Sequence, residues 1–364
     1  MTRILFENHH LYYLSNFLPI IAEFRGRNDY EIFASMPCFI NHYEQEIFYN
    51  SCSKLGITAI REDNEDLRLS ALKNLKIDVV VVGNVGQLHK ILRTNTLAVL
   101  VYHGIGLKQT YYHDIDDRID LRAVESETRM EELLNLGYNN LVLTGFTKCD
   151  PLIRPLKNQS RKLSEMGLNP NLKTILYAPS FYPSSQEKII PFLSKLEFEQ
   201  NIIIKLHNFS WHQKKYRYQS KVMSALAEQN RNMFLIPPED YDIISYYPFG
   251  DILISDISST LFEFLPLNRP IIMAEFFTLR LKHRIFFKRY LRRMDLRRME
   301  MVDFAYRLNN PEDLPSLVYH ALDYPRELEE KRLKAQSKYL YKTDGRAAFR
   351  LVDAIERKRS GNKK

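Results

Sequence analysis

Residues 253–273 read as a buried strand, a polar turn, a helix and a second strand. The pieces are Leu253-Ile254-Ser255-Asp256-Ile257, Ser258-Ser259-Thr260, Leu261-Phe262-Glu263-Phe264 and Arg269-Pro270-Ile271-Ile272-Met273. Two apolar strands separated by a helical crossover belong in a parallel sheet, since parallel neighbours cannot be joined by a tight hairpin. The same spacing puts Ser258, Ser259 and Thr260 at a helix start, where unpaired backbone N–H groups and the helix dipole favour an anion. Plain N-capping by Asp256 or Ser258 would use the same residues.

The first 150 residues repeat the alternation. Strands are expected at residues 3–6, 30–34, 77–82 and 97–102, and helices at 14–24 and 42–55, with a helical pattern through 131–136. The β-branched run at 77–82 suits a strand buried on both faces. Residues 157–173, with Asn158, Gln159, Ser160, Asn169, Pro170 and Asn171, have the polar composition of a linker. Beyond them strands are expected at 174–178, 202–206, 233–236 and 251–255, and helices at 188–196 and 222–229. The fold class is therefore α/β, with two Rossmann-like domains, residues 1–157 and 173–340, facing across a cleft where strand carboxyl ends meet ligands.

A chain of 364 residues, 45% hydrophobic, suits two cores. No apolar run approaches a membrane span and no signal-peptide pattern opens the sequence, so the expectation is a cytosolic protein. Cys38, Cys52 and Cys149 are widely spaced and odd in number, which suggests buried reduced thiols and neither a disulfide framework nor a zinc site. Charge is concentrated: residues 279–299 hold Arg280, Lys282, Arg284, Lys288, Arg289, Arg292, Arg293, Arg297 and Arg298 against Asp295 alone, and the C-terminal tail is also basic. Phe287, Tyr290, Leu291 and Met294 recur at helical spacing among Lys288, Arg289, Arg292 and Arg293, the pattern of a cationic amphipathic helix on an anionic membrane, or of a packed helix with a solvated basic face. No nucleic-acid-binding module accompanies the patch.

Tyr102-His103-Gly104-Ile105-Gly106-Leu107-Lys108 follows a buried strand. It places His103 at a strand end beside glycines that admit a substrate, in the position of a general base or of a loop histidine satisfied by backbone contacts. Lys205-Leu206-His207-Asn208 repeats the pattern in the second domain, where His207 would meet a pyrophosphate. Tyr177-Ala178-Pro179-Ser180 supplies a strand-end hydroxyl. Asp114-Ile115-Asp116 has the Asp-x-Asp form of metal-dependent transferases, but it lies among Asp117 and Asp120 and reads as a solvated loop. His9-His10 lacks ligand spacing, and no metal is expected.

Taken in order, these pieces resemble the CDP-glycerol:poly(glycerophosphate) glycerophosphotransferase family of teichoic-acid synthesis. The matching residues are His103-Gly104 with Lys108, Gly145-Phe146-Thr147-Lys148-Cys149-Asp150, Tyr177-Ala178-Pro179-Ser180, Lys205-Leu206-His207, Asp256-x-Ser258-Ser259-x-x-Phe262-Glu263 with Arg269-Pro270-Ile271-Ile272, and Asp344-Gly345-Arg346-Ala347. Two places depart from the family pattern: Phe181-Tyr182 replaces Trp-Arg, and Lys205-Leu206-His207-Asn208 replaces Arg-x-His-Pro.

The resemblance implies a GT-B type transferase, with residues 341–364 forming a closing helix that packs back toward the N-terminal domain, plus a basic tail. It also implies a CDP-glycerol or CDP-ribitol-like donor, an undecaprenyl-linked or polysaccharide acceptor at the inner face of the cell membrane, and no cofactor. His103 and His207 are the expected catalytic residues. Lys108, Ser180, Ser258, Ser259, Thr260 and Glu263 are the expected donor-phosphate contacts, with Glu263 accepting from donor hydroxyls or only stabilising the helix start. An inverting glycosyltransferase using a nucleotide sugar, or a catalytically silent membrane-associated scaffold, would use the same fold.

Overall fold

Two parallel sheets organise the chain. The first has seven strands in the order β3-β2-β1-β4-β5-β6-β7 and the second six in the order β10-β9-β8-β11-β12-β13. The computed structural model describes residues 1–27, 29–105, 117–153, 159–196, 199–286 and 299–361. The first sheet contains β1 (Thr2–Glu7), β2 (Tyr30–Ser35), β3 (Thr58–Ile60), β4 (Val79–Val82), β5 (Leu97–Val101), β6 (Leu121–Val124) and β7 (Leu141–Leu143). The second contains β8 (Lys173–Tyr177), β9 (Gln200–Ile204), β10 (Met233–Leu235), β11 (Ile252–Ser255), β12 (Ile271–Ala274) and β13 (Tyr306–Leu308). All of their pairings are parallel.

The central strands are apolar because helices cover both faces of such a sheet. Val79–Val82 is buried throughout, as are Leu97–Val101 and Ile252–Ser255. Leu5, Val80, Val82, Ala98 and Leu100 share one core of the first sheet. Ile175, Tyr177, Ile202, Ile204, Ile252, Ile254 and Ile272 form the second sheet's own core. The intervening helices start where short polar side chains satisfy free N–H groups: Asn64 accepts from Leu67 and Ser126 from Arg129.

The chain divides into two compact units, one built from Met1–Gly104, Thr110–Ile153 and Lys338–Lys364, the other chiefly from Arg154–Ser337. Within the first, the C-terminal helix Ala347–Gly361 is fixed by Asp150. Its two carboxylate oxygens accept from the N–H groups of Ala347 at 3.0 Å and Ala348 at 2.8 Å. Gly345 turns the chain into that helix at φ +71°, a region where glycine alone is unstrained.

Several features differ from the sequence expectation. Residues 157–173 include the helix Gln159–Glu165, because polar composition also describes a short exposed helix. The edge strands β3 and β13 and the helices Glu65–Asn74, Leu314–Asp323 and Glu329–Tyr339 were not legible from periodicity. All three cysteines are free, but only Cys52 and Cys149 are buried, while Cys38 is partly exposed beside Glu62 and Glu65. Among the described residues no helix is long and apolar enough to cross a membrane.

Candidate active site

In each sheet the strand order reverses direction at one place, between β1 and β4 in the first and between β8 and β11 in the second. Loops leaving adjacent strands there diverge and open a crevice at the carboxyl ends, the usual ligand position in doubly wound sheets. The candidate residues collect around these two positions.

In the first unit, His103 follows β5 and points its Nδ1 at the carbonyl oxygen of Gly83, 2.9 Å away at the end of β4. A carbonyl oxygen only accepts, so Nδ1 carries the proton, and in the neutral form of the ring this leaves the basic lone pair on Nε2. The ring packs 4.7 Å from Tyr13 and 5.9 Å from Tyr12, centroid to centroid. Tyr13 is held in turn by the Asn84 amide, which donates to its hydroxyl at 2.7 Å. Gly83 has no room for a side chain: a Cβ there would run into the Tyr13 ring. Glycine at this position therefore lets the β4 backbone reach the histidine. Tyr13, Asn84 and Gly83 were absent from the sequence reading. The only signal was a glycine directly after four valines.

The second unit assembles its loops around Asp256, which is fully buried. Its carboxylate accepts from the N–H of Ser180 at 2.7 Å, the N–H of Ser185 at 3.0 Å and the hydroxyl of Ser185 at 3.1 Å. Asp256 thus clasps the loop after β8 to the loop after β11. It does not cap the following helix, and Ser258 partly takes that place by accepting from the Thr260 N–H at 3.3 Å. Burial pushes the Asp256 carboxyl up to about 6, against the pull of those donors.

His207 lies at the end of β9 and caps the short helix Asn208–His212, its Nδ1 accepting from the Phe209 N–H at 3.1 Å. An N–H only donates, so the neutral ring of His207 carries its proton on Nε2. The two histidines consequently have opposite character, His103 an acceptor and His207 a donor at Nε2. Phe181 packs against His207 with the rings tilted and their centroids 4.6 Å apart. It continues to Tyr216 at 5.0 Å, and the Arg280 guanidinium lies 4.8 Å from the Tyr216 ring.

Ser258, Ser259 and Thr260 are partly exposed at the start of the helix Thr260–Glu263. That helix is a single turn because Pro266 follows in the 3-10 turn Leu265–Leu267. Its dipole is therefore smaller than a long helix would give. The Ser180 hydroxyl donates within its own loop, to the Pro183 carbonyl. Thr260 shares a hydrogen bond with Ser255. Glu263 is 1% exposed, and it accepts from Ser259 at 3.1 Å and Tyr247 at 2.9 Å. Those bonds brace the helix start, the second of the two roles expected for Glu263.

Lys108, Lys288, Arg289, Arg292 and Arg293, with Asp114 and Asp116, lie outside the described residues. Among the described residues no group of three or more His, Cys, Asp or Glu side chains is placed to hold a metal ion.

Residues 93–357 match the family model for CDP-Glycerol:Poly(glycerophosphate) glycerophosphotransferase. The teichoic acid glycerol-phosphate primase of Bacillus subtilis (strain 168) is 26% identical over 232 residues, which cover 56% of this chain and 56% of that protein. The match thus spans about half the length of this curated relative. Among solved structures, the wall teichoic acid polymerase TagF aligns with a TM-score of 0.71 at 15% identity, over 99% of this chain and 89% of that one. UDP-GlcNAc 2-epimerase from Neisseria meningitidis, bound to UDP-GlcNAc, aligns with a TM-score of 0.63 at 16% identity, over 98% and 99% of the two chains. At these identities the structural likeness speaks for the fold, the two-Rossmann-unit GT-B class.

Proposed function

The chain belongs to the CDP-glycerol:poly(glycerophosphate) glycerophosphotransferase family, and on that premise we propose that it transfers glycerol phosphate, or a related polyol phosphate, from a CDP-linked donor to an acceptor hydroxyl. The observation that supports this reading is that each unit holds one imidazole in a set orientation, His103 through the Gly83 carbonyl and His207 through the Phe209 N–H. His103 Nε2 removes the proton from the acceptor hydroxyl as its oxygen attacks the donor's β-phosphorus. A P–O bond forms to the acceptor, the P–O bond to the bridging oxygen breaks, and CMP leaves. His207 Nε2–H, with the hydroxyl of Ser258, donates to diphosphate oxygens as charge builds on the leaving group.

On this reading the acceptor is an undecaprenyl-linked or polysaccharide hydroxyl presented at the inner face of the cell membrane. The basic stretch at residues 279–299 supports an anionic surface as a partner. The deciding experiment offers CDP-glycerol, CDP-ribitol and UDP-sugars in turn and measures release of CMP or UDP. CMP from a CDP-polyol supports the proposal, whereas UDP release alone would make the protein a nucleotide-sugar glycosyltransferase. Ser258→Ala with Ser259→Ala is expected to weaken donor binding more than acceptor binding, by calorimetry.

A further inference from the structure

Three loops of the second unit meet around Arg280. The segment after β12 is tied to the loop after β8 by an antiparallel bridge between Thr278 and Ser184, with the Thr278 N–H donating to the Ser184 carbonyl at 3.1 Å. Two residues on, the Arg280 N–H donates to the Tyr182 hydroxyl at 3.3 Å. The Arg280 guanidinium carbon lies 4.1 Å from the Tyr182 ring centroid and 4.8 Å from that of Tyr216. Tyr216 leads through Phe181 to His207. The preceding residue, Ser180, is clasped by Asp256 just before Ser258.

The charge on Arg280 is incompletely matched. Among the described residues no carboxylate pairs with it, and its buried Nη2 has no acceptor. The tyrosine faces offset part of the cost of desolvating the cation but supply no acceptor in the guanidinium plane. Burial correspondingly lowers its pKa. Buried N–H donors of a cation are mostly paired in folded proteins, and an anion at the guanidinium edge would complete this arrangement. A planar fork held by aromatic rings suits phosphate oxygens taken two at a time.

We infer that Arg280 binds the diphosphate of the nucleotide donor and sets the preference for a nucleoside diphosphate over a monophosphate. This rests on the donor reading above and adds a residue that sequence analysis placed only within a general basic patch. Free CDP and CMP are suitable probes, since they differ by the one phosphate that Arg280 is assigned to hold.

Calorimetry on the intact chain should show Arg280→Ala weakening CDP binding roughly ten- to a hundredfold, as for loss of a charged hydrogen bond, and CMP binding much less. Arg280→Lys should recover part of the loss. Arg280→Gln keeps a long stem and a planar end against the tyrosines, and serves where the alanine variant does not fold. Equal losses for CDP and CMP, or none, would overturn the assignment. If CDP affinity falls as expected but the wild type releases no CMP from CDP-glycerol, the transfer reading fails and Arg280 stands. If the wild type transfers while the variants bind CDP normally, Arg280 fails and the transfer reading stands. A wild type that does not bind CDP overturns both.

Discussion

The Nδ1 of His103 donates to the carbonyl oxygen of Gly83 at 2.9 Å, joining the end of β5 to the end of the neighbouring β4. That bond selects the tautomer of the candidate base and orients its ring. It exists because residue 83 has no side chain and the β4 backbone can lie against Tyr13 and the histidine together.

His103→Ala should lower turnover by on the order of 10²- to 10⁴-fold with little change in melting temperature. Gly83→Ala should combine a loss of stability of about 1–3 kcal/mol from overpacking on Tyr13 with slower turnover. Steady-state kinetics paired with thermal unfolding separates the two effects. Near-wild-type activity in His103→Ala would remove the residue from the mechanism.

Asp256 predicts a pH dependence with a definite sign. Its folded-state carboxyl, at about 6, lies above the ordinary value of 3.8, so the folded protein holds a proton that the unfolded chain releases in this window. The associated stabilisation is full below about pH 4 and is lost as pH rises through about 6, amounting to about 3 kcal/mol. Urea unfolding should therefore show the advantage of wild type over Asp256→Asn growing as pH falls from 7 towards 4. A difference that stays constant with pH would contradict the assignment.

Beneath the first sheet, Arg68 and Glu7 form a fully buried pair, with the Arg68 Nη1 3.0 Å from each Glu7 oxygen. Glu65 and Ser35 complete the network. Removing one partner leaves a buried charge, so Arg68→Ala should cost about 3–5 kcal/mol, whereas Glu7→Leu combined with Arg68→Met should cost much less. Denaturant unfolding of the single and double variants tests this.

If the basic stretch at residues 279–299 meets a bilayer, the protein should sediment with anionic vesicles and not with neutral ones, and should detach in high salt. Replacing Arg289, Arg292 and Arg293 with Glu should abolish the binding. Equal binding to both vesicle types, or binding to neither, would rule out this role.

Much of the architecture was legible because burial on both faces leaves a local mark. The valines of β4 and the isoleucines of β9 and β11 announce central parallel strands, and glycine and histidine just past such strands announce a ligand-facing edge. Edge strands and surface helices escaped, since β3 is half exposed and the helix Glu329–Tyr339 is mostly charged. What each polar residue does was set only by the fold. Asp256 and Glu263 read alike as polar residues flanking a helix start, yet one clasps a loop 76 residues away and the other is bracketed by Tyr247 and Ser259. Pattern along a chain records burial, which every residue meets through its own side chain. Hydrogen-bond partners, histidine tautomers and the lack, among the described residues, of a carboxylate beside Arg280 depend on which distant groups arrive beside them, and tertiary packing alone decides that.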